Sequence, residues 1–136
     1  MKYEFEMIGD ITGKARPRMN TRTGHAYTPT KTKLYEYSLR QWFVYYYPKF
    51  KPIESRVKIR ITAYFNIPKS TSKKQEAEML KENISPTKKP DIDNIIKVVL
   101  DAMNGFAYKD DTQVTYIEVE KKYADNSKIC IKIEDY

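Results

Sequence analysis

Residues 89–111 carry the densest set of chemically able groups in the chain: Lys89-Pro-Asp-Ile-Asp-Asn-Ile-Ile-Lys97, then Asp101, then Tyr108-Lys-Asp-Asp111. Acids at Asp91, Asp93, Asp110 and Asp111 stand in a chain whose formal net charge is +7. Carboxylates are hard oxygen donors suited to Mg²⁺ or Mn²⁺. In a basic setting they point to a divalent cation working on a phosphodiester. Other site chemistries are excluded by count. With His25 as its one histidine, the chain has neither a histidine dyad nor a His-rich metal site, and with Cys130 as its one cysteine it has no intrachain disulfide.

A helix must position the first pair of acids. Ile92, Ile95, Ile96, Val99, Leu100 and Met103 recur at the spacing of one buried helical face. Pro90 disfavours helix at Lys89, and Asp91 is a good N-cap, so the helix is expected to begin near Asp91. Asn104-Gly105 supplies the stop. Asp93, Asn94, Lys97, Asp101 and Asn104 then fall on the polar side.

These acids also have a reading without chemistry. Acids in a first turn favour the helix dipole, and Asp93 with Lys97 is an ordinary i, i+4 pair. The second acid pair, Asp110-Asp111, argues for more. About 13 helical residues advance roughly 20 Å from Asp91. The six steps from Gly105 to Asp111, at about 3.3 Å each, return the same length if they run extended. That geometry predicts an extended return over residues 105–111, with Asp111 beside Asp91 and Asp93.

The run Pro90-Asp-Ile-Asp-Asn-Ile-Ile-Lys97, with Asp101-Ala, Gly105, Tyr108-Lys-Asp-Asp111 and Gln113-Val114, resembles the RusA family of Holliday junction resolvases. The likeness is dense over residues 89–123. Near the N-terminus, Gly13-Lys-Ala-Arg-Pro-Arg18 and Tyr27-Thr-Pro also look like members of that family. The resemblance implies Mg²⁺-dependent cleavage of four-way DNA junctions by a homodimer. It places metal-binding aspartates at Asp91, Asp93 and Asp111 and a functional lysine at Lys97. Asp110 adjoins the site, either assisting or acting as a turn residue.

Charge distribution fits a polyanionic partner. Residues 11–60 hold 12 lysines and arginines against Glu36 and Glu54, a net of +10, whereas residues 91–136 hold 6 lysines against 10 acids, a net of −4. Phosphate binding is expected in the first region and chemistry in the second. Within the first region, Lys14, Arg16, Arg18 and Arg22 lie in one loop with Pro17 restricting the backbone, which suits phosphate clamping. A plain exposed basic loop is the alternative. His25 is expected to be an ordinary exposed loop residue. Tyr45-Tyr-Tyr47 suits base stacking, but aromatics at helical spacing more commonly serve a core or a dimer interface.

The remaining pattern predicts an α+β fold, a single domain over residues 1–136 with a mixed sheet packed against helices. Strands are expected at 2–9, 55–67, 113–123 and 127–134. Helices are expected at 30–47, with Tyr35, Leu39, Trp42, Phe43 and Tyr46 on one face, and at 71–83. Cys130 on the last strand is expected to be a buried small hydrophobe. No apolar run is long enough for a transmembrane helix, and nothing suggests a signal peptide or a nucleotide cofactor. The expected compartment is the cytoplasm. Two other functions remain open: a DNA-binding module whose acids only cap a helix, and an Asp-nucleophile phosphotransferase. The latter normally places Asp-x-Asp after a buried apolar strand, where this chain has Lys88-Lys89-Pro90.

Overall fold

In the computed structural model, which describes residues 1–136, the expected long strands and helices appear in the expected order, joined by a short hairpin and a 3-10 turn that the pattern did not anticipate. They are β1 (Lys2–Ile8), a two-residue pair β2 (Arg18–Met19) and β3 (Ala26–Tyr27), α1 (Thr30–Tyr46), β4 (Val57–Asn66), α2 (Lys73–Leu80), α3 (Ile92–Met103), a 3-10 turn at Asp111–Gln113, β5 (Val114–Ala124) and β6 (Lys128–Asp135).

The four long strands form one mixed sheet in the order β1-β6-β4-β5, with β4 and β5 parallel and the other neighbours antiparallel. A parallel pair needs a crossover, and α2, a linker and α3 provide it. Period-two alternation turns Val57, Ile59, Ile61, Ala63 and Phe65 of β4 to one buried face. Their neighbours continue the rows: Ile61 pairs with Ile131, which pairs with Phe5, and Ile59 pairs with Ile133, which pairs with Tyr3. Helices α1 and α3 pack together, α1 against β1 and α3 against β5. The opposite sheet face carries charged residues, among them Lys58, Arg60 and Lys132.

The helices bury different stripes from those expected. In α3 the buried residues are Ile95, Val98, Val99, Ala102 and Met103, while Ile92 is exposed and Ile96 and Leu100 are half-buried. The helix packs against both α1 and the sheet, so its buried face turns toward Val98 and Ala102. Each large aliphatic side chain there contributes about 1.5–3 kcal/mol over its exposed state. In α1 the buried residues are Thr32, Glu36, Leu39 and Phe43, and both Trp42 and Tyr46 are substantially exposed.

Two further expectations are corrected. Residues 104–108 form a tight turn, not an extended return. Gly105 adopts φ +80°, Ala107 N–H donates to the Met103 carbonyl, and Gly105 N–H donates to the Tyr108 carbonyl. Tyr108 is fully buried, and its hydroxyl donates to the Leu100 carbonyl at 2.8 Å. Burying this aromatic outweighs keeping the segment straight. Cys130 is only partly buried because it points to the open sheet face, where its thiol faces Glu6. Partial burial first, and then Glu6, push the thiol up to about 11.

Candidate active site

The head of α3 presents its acids unengaged. Asp91 is the N-cap, with extended backbone, but its side chain makes no capping hydrogen bond. Asp93 lies in the first turn, where the helix dipole favours negative charge. The Asp93–Lys97 pair expected of an ordinary helix surface does not form, and neither residue takes part in any ion pair. Asp91, Asp93 and Lys97 are all exposed. The capping and pairing explanations for this motif therefore lack their contacts, and the dipole reading of Asp93 stands beside the chemical one.

Asp110 behaves in the opposite way. Its carboxylate accepts from Thr112 N–H at 3.2 Å, and the Gln113 side chain accepts from Asp110 N–H at 2.9 Å, completing a capping box on the 3-10 turn. Gln113 also donates to the carbonyls of Ile53 and Ser55, both at 2.8 Å, which anchors the turn to the segment before β4. Asp110 thus serves as the turn residue that caps the 3-10 turn directly beside Asp111. Asp111 is raised above the ordinary carboxylate range, first by a hydrogen bond with the Asp110 carboxyl, then by partial burial and by the charges of Asp110 and Asp101.

The acids accordingly fall into two groups. Asp91 and Asp93 share the N-terminal end of α3, and the carboxylates acting on Asp111 are Asp110 and Asp101. Asp101 lies eight residues beyond Asp93, about 12 Å further along the helix axis. No three acids of the chain form a group that would hold a metal ion. The donor chemistry nevertheless fits a hard divalent cation: two unengaged carboxylates at the head of α3, with Asp110 and Asp111 as a second carboxylate pair.

The N-terminal loop is fixed against this helix by residues 13 and 14. Lys14 N–H donates to the Asn94 carbonyl at 2.9 Å, and Ala15 N–H donates to Thr32 Oγ1 at 3.2 Å. A Cβ at Gly13 would stand 2.7 Å from Pro90 Cβ and 3.0 Å from Asn94 Cβ, so only glycine permits this approach. The chain then leaves α3 and makes the β2–β3 hairpin, whose turn is held by Asn20. Arg16, Arg18 and Arg22 are exposed there and form no ion pair. His25 is exposed, as expected. Lys14 departs from the loop reading, because its amine is held by Glu36 at 2.9 Å and Asp101 at 3.1 Å.

A match to the family described as Endodeoxyribonuclease RusA spans residues 9–134. The chain belongs to the RusA endodeoxyribonuclease family. A relative from Bacillus subtilis (strain 168), named uncharacterized protein YqaN, is 32% identical over 139 residues, covering 97% of this chain and 95% of that protein. The RusA match takes in both the basic loop and the acidic helix. No helix is long and apolar enough to cross a membrane.

Sequence reasoning about this RusA member missed the buried engagement of Glu36. Glu36 falls with Thr32, Leu39 and Phe43 at i, i+4, i+7 and i+11 spacing, and an acid within an apolar stripe signals a buried ionic partner. Lys88 and Lys89 add positive charge beside the acids. They are exposed immediately before Asp91, and the Lys121 amine is held on the Lys88 carbonyl.

Proposed function

We propose that this protein is a metal-dependent endodeoxyribonuclease that resolves four-way DNA junctions by paired symmetric nicks, as a cytoplasmic homodimer acting in recombination and repair. The observation that carries the reading is the head of α3, where Asp91 and Asp93 neither cap nor pair, in a chain of the RusA endodeoxyribonuclease family.

Asp91, Asp93 and Asp111 are the proposed holders of Mg²⁺, with Mn²⁺ a substitute. Such an ion, when bound, activates a water and offsets charge on the scissile phosphate. Lys97, one turn beyond Asp93 and unpaired, offers positive charge to the phosphorane or a proton to the leaving oxygen. Arg16, Arg18 and Arg22 hold phosphates beside the acids. The 104–108 turn makes Asp111 the ligand whose membership most needs testing.

Incubation with a synthetic four-way junction tests the reading. With Mg²⁺, nicks are expected in opposed strands, symmetric about the crossover, and none is expected with chelator. Tight junction binding without cleavage at any Mg²⁺ or Mn²⁺ concentration would instead favour a binding module. For the loop, Arg16→Ala and Arg18→Ala are each expected to lower the log–log salt slope of junction affinity by about 0.9. Unchanged slopes in both would move the phosphate contacts to Lys31 and Lys33.

A further inference from the structure

Lys14 is the one basic residue of the N-terminal loop whose charge is turned inward. Its side chain is 18% exposed, and its amine lies between Glu36 of α1, with a side chain only 8% exposed, and Asp101 of α3, at 40%. Arg40 approaches the other oxygen of Glu36 at 3.9 Å and donates from Nε to the Ala102 carbonyl at 3.0 Å. Lys14 therefore touches α3 twice. Its backbone bonds the Asn94 carbonyl, and its amine bonds Asp101, seven residues and about 10 Å further along the axis.

The contacts around it are those of a packed strap. Gly13 lies directly on Pro90 and Asn94, Ala15 is tied to Thr32, and the buried hydroxyl of the half-buried Tyr35 faces the backbone of Thr12 without a well-formed hydrogen bond. Burial alone pulls the Lys14 amine down, but the hydrogen bonds and charges of Glu36 and Asp101 outweigh it and leave the amine above its ordinary value. Turning this amine out to a DNA phosphate would strand Glu36 with only a distant Arg40. Removing one partner of a buried pair costs more than an exposed phosphate contact returns.

We propose that Lys14 is a positioning residue: it ties the strap at residues 12–15 to both helices, setting the register between the phosphate-reading loop and the acidic helix. The kinetic part of this inference rests on the nuclease reading above. The structural part does not.

The test compares Lys14→Met, Lys14→Arg, Asp101→Ala and the Lys14→Met/Asp101→Ala double variant. Three quantities are measured: the salt slope of junction affinity, the cleavage rate at saturating protein with Mg²⁺, and hydrogen exchange of the residue 14 and Ala15 amides. Lys14→Met is expected to keep the wild-type slope, to cut about tenfold or more slowly, and to exchange both amides faster. Lys14→Arg should recover most of the rate. Asp101→Ala should lose rate in the same direction, with the double variant no worse than Lys14→Met, because both changes break one tie.

A slope lowered by about 0.9 with an unchanged saturated rate would make Lys14 a phosphate contact and overturn the proposal. Unchanged rate and exchange, or additive losses in the double variant, would also overturn it. Should Lys14→Met fail to fold, Asp101→Ala decides by the same rate and exchange measurements, at a half-exposed helical site that tolerates alanine. If the wild-type protein cuts no junction, the nuclease reading falls and exchange alone decides the tie.

Discussion

A single asparagine at Asp91, Asp93 or Asp111 is expected to abolish junction cleavage while leaving junction affinity at or above the wild-type level. Each change keeps the side-chain shape and removes one negative charge from the proposed phosphate-facing site, so electrostatic binding has no reason to weaken. Cleavage loses ligand charge that contributes several kcal/mol in the transition state, a fall of about 10³-fold or more. Single-turnover cleavage beside a gel-shift titration separates the two effects. Asp110→Asn is the informative contrast. Asparagine caps as well as aspartate, so the Thr112 N–H keeps its acceptor and cleavage should stay near wild type. Wild-type cutting by any one of the three main variants would strike that residue from the ligand set. Asp111 is the sharpest case, since its neighbours here are Asp110 and Asp101.

Sedimentation equilibrium at micromolar protein is expected to return twice the 16.1 kDa chain mass without DNA. Two opposed strands must be cut to separate a four-way junction, and a two-fold pair of identical sites matches that symmetry. The chain has a surface for such a pair. Leu34, Tyr37, Trp42 and Tyr45 line an outer face of α1 and are 61%, 58%, 42% and 76% exposed. Apolar surface concentrated this way marks a docking face more than a scattered surface does. A Trp42→Glu/Tyr45→Glu variant is expected to sediment as a monomer and to convert paired nicks into single ones. A wild-type monomer, with only one chain in the junction complex, would defeat paired cleavage even with the metal ligands correct.

Much of the architecture was legible from local pattern. Strand alternation and helical spacing located every long element within a few residues, because each is amphipathic and the punctuating residues lie between them: Pro48 and Pro52, Ser72, Pro90, Asn104-Gly105. Ser72 caps α2 through Gln75 N–H, as a cap region rich in serine and threonine predicts. Periodicity was a weaker guide to which residues of a helix are buried. It counts apolar side chains, so it included Ile92 and Trp42, which are exposed, and passed over Glu36, which is buried among them.

By itself the sequence determined the family, the element order and the identity of the acidic positions, since motif spacing and side-chain alternation are properties of neighbours along the chain. Tertiary structure decided what each of those groups is engaged in. Asp91, in an ordinary capping residue's position, makes no capping hydrogen bond, while Asp110 is committed to one. Lys14, one basic residue among several in its loop, is held by acids from two helices. The 104–108 segment turns because burying Tyr108 and satisfying its hydroxyl on the Leu100 carbonyl outweighs an extended path. In each case the deciding partner is remote in sequence or set by the turn the chain takes, and an ion pair or a burial exists only after folding has brought that partner within about 4 Å.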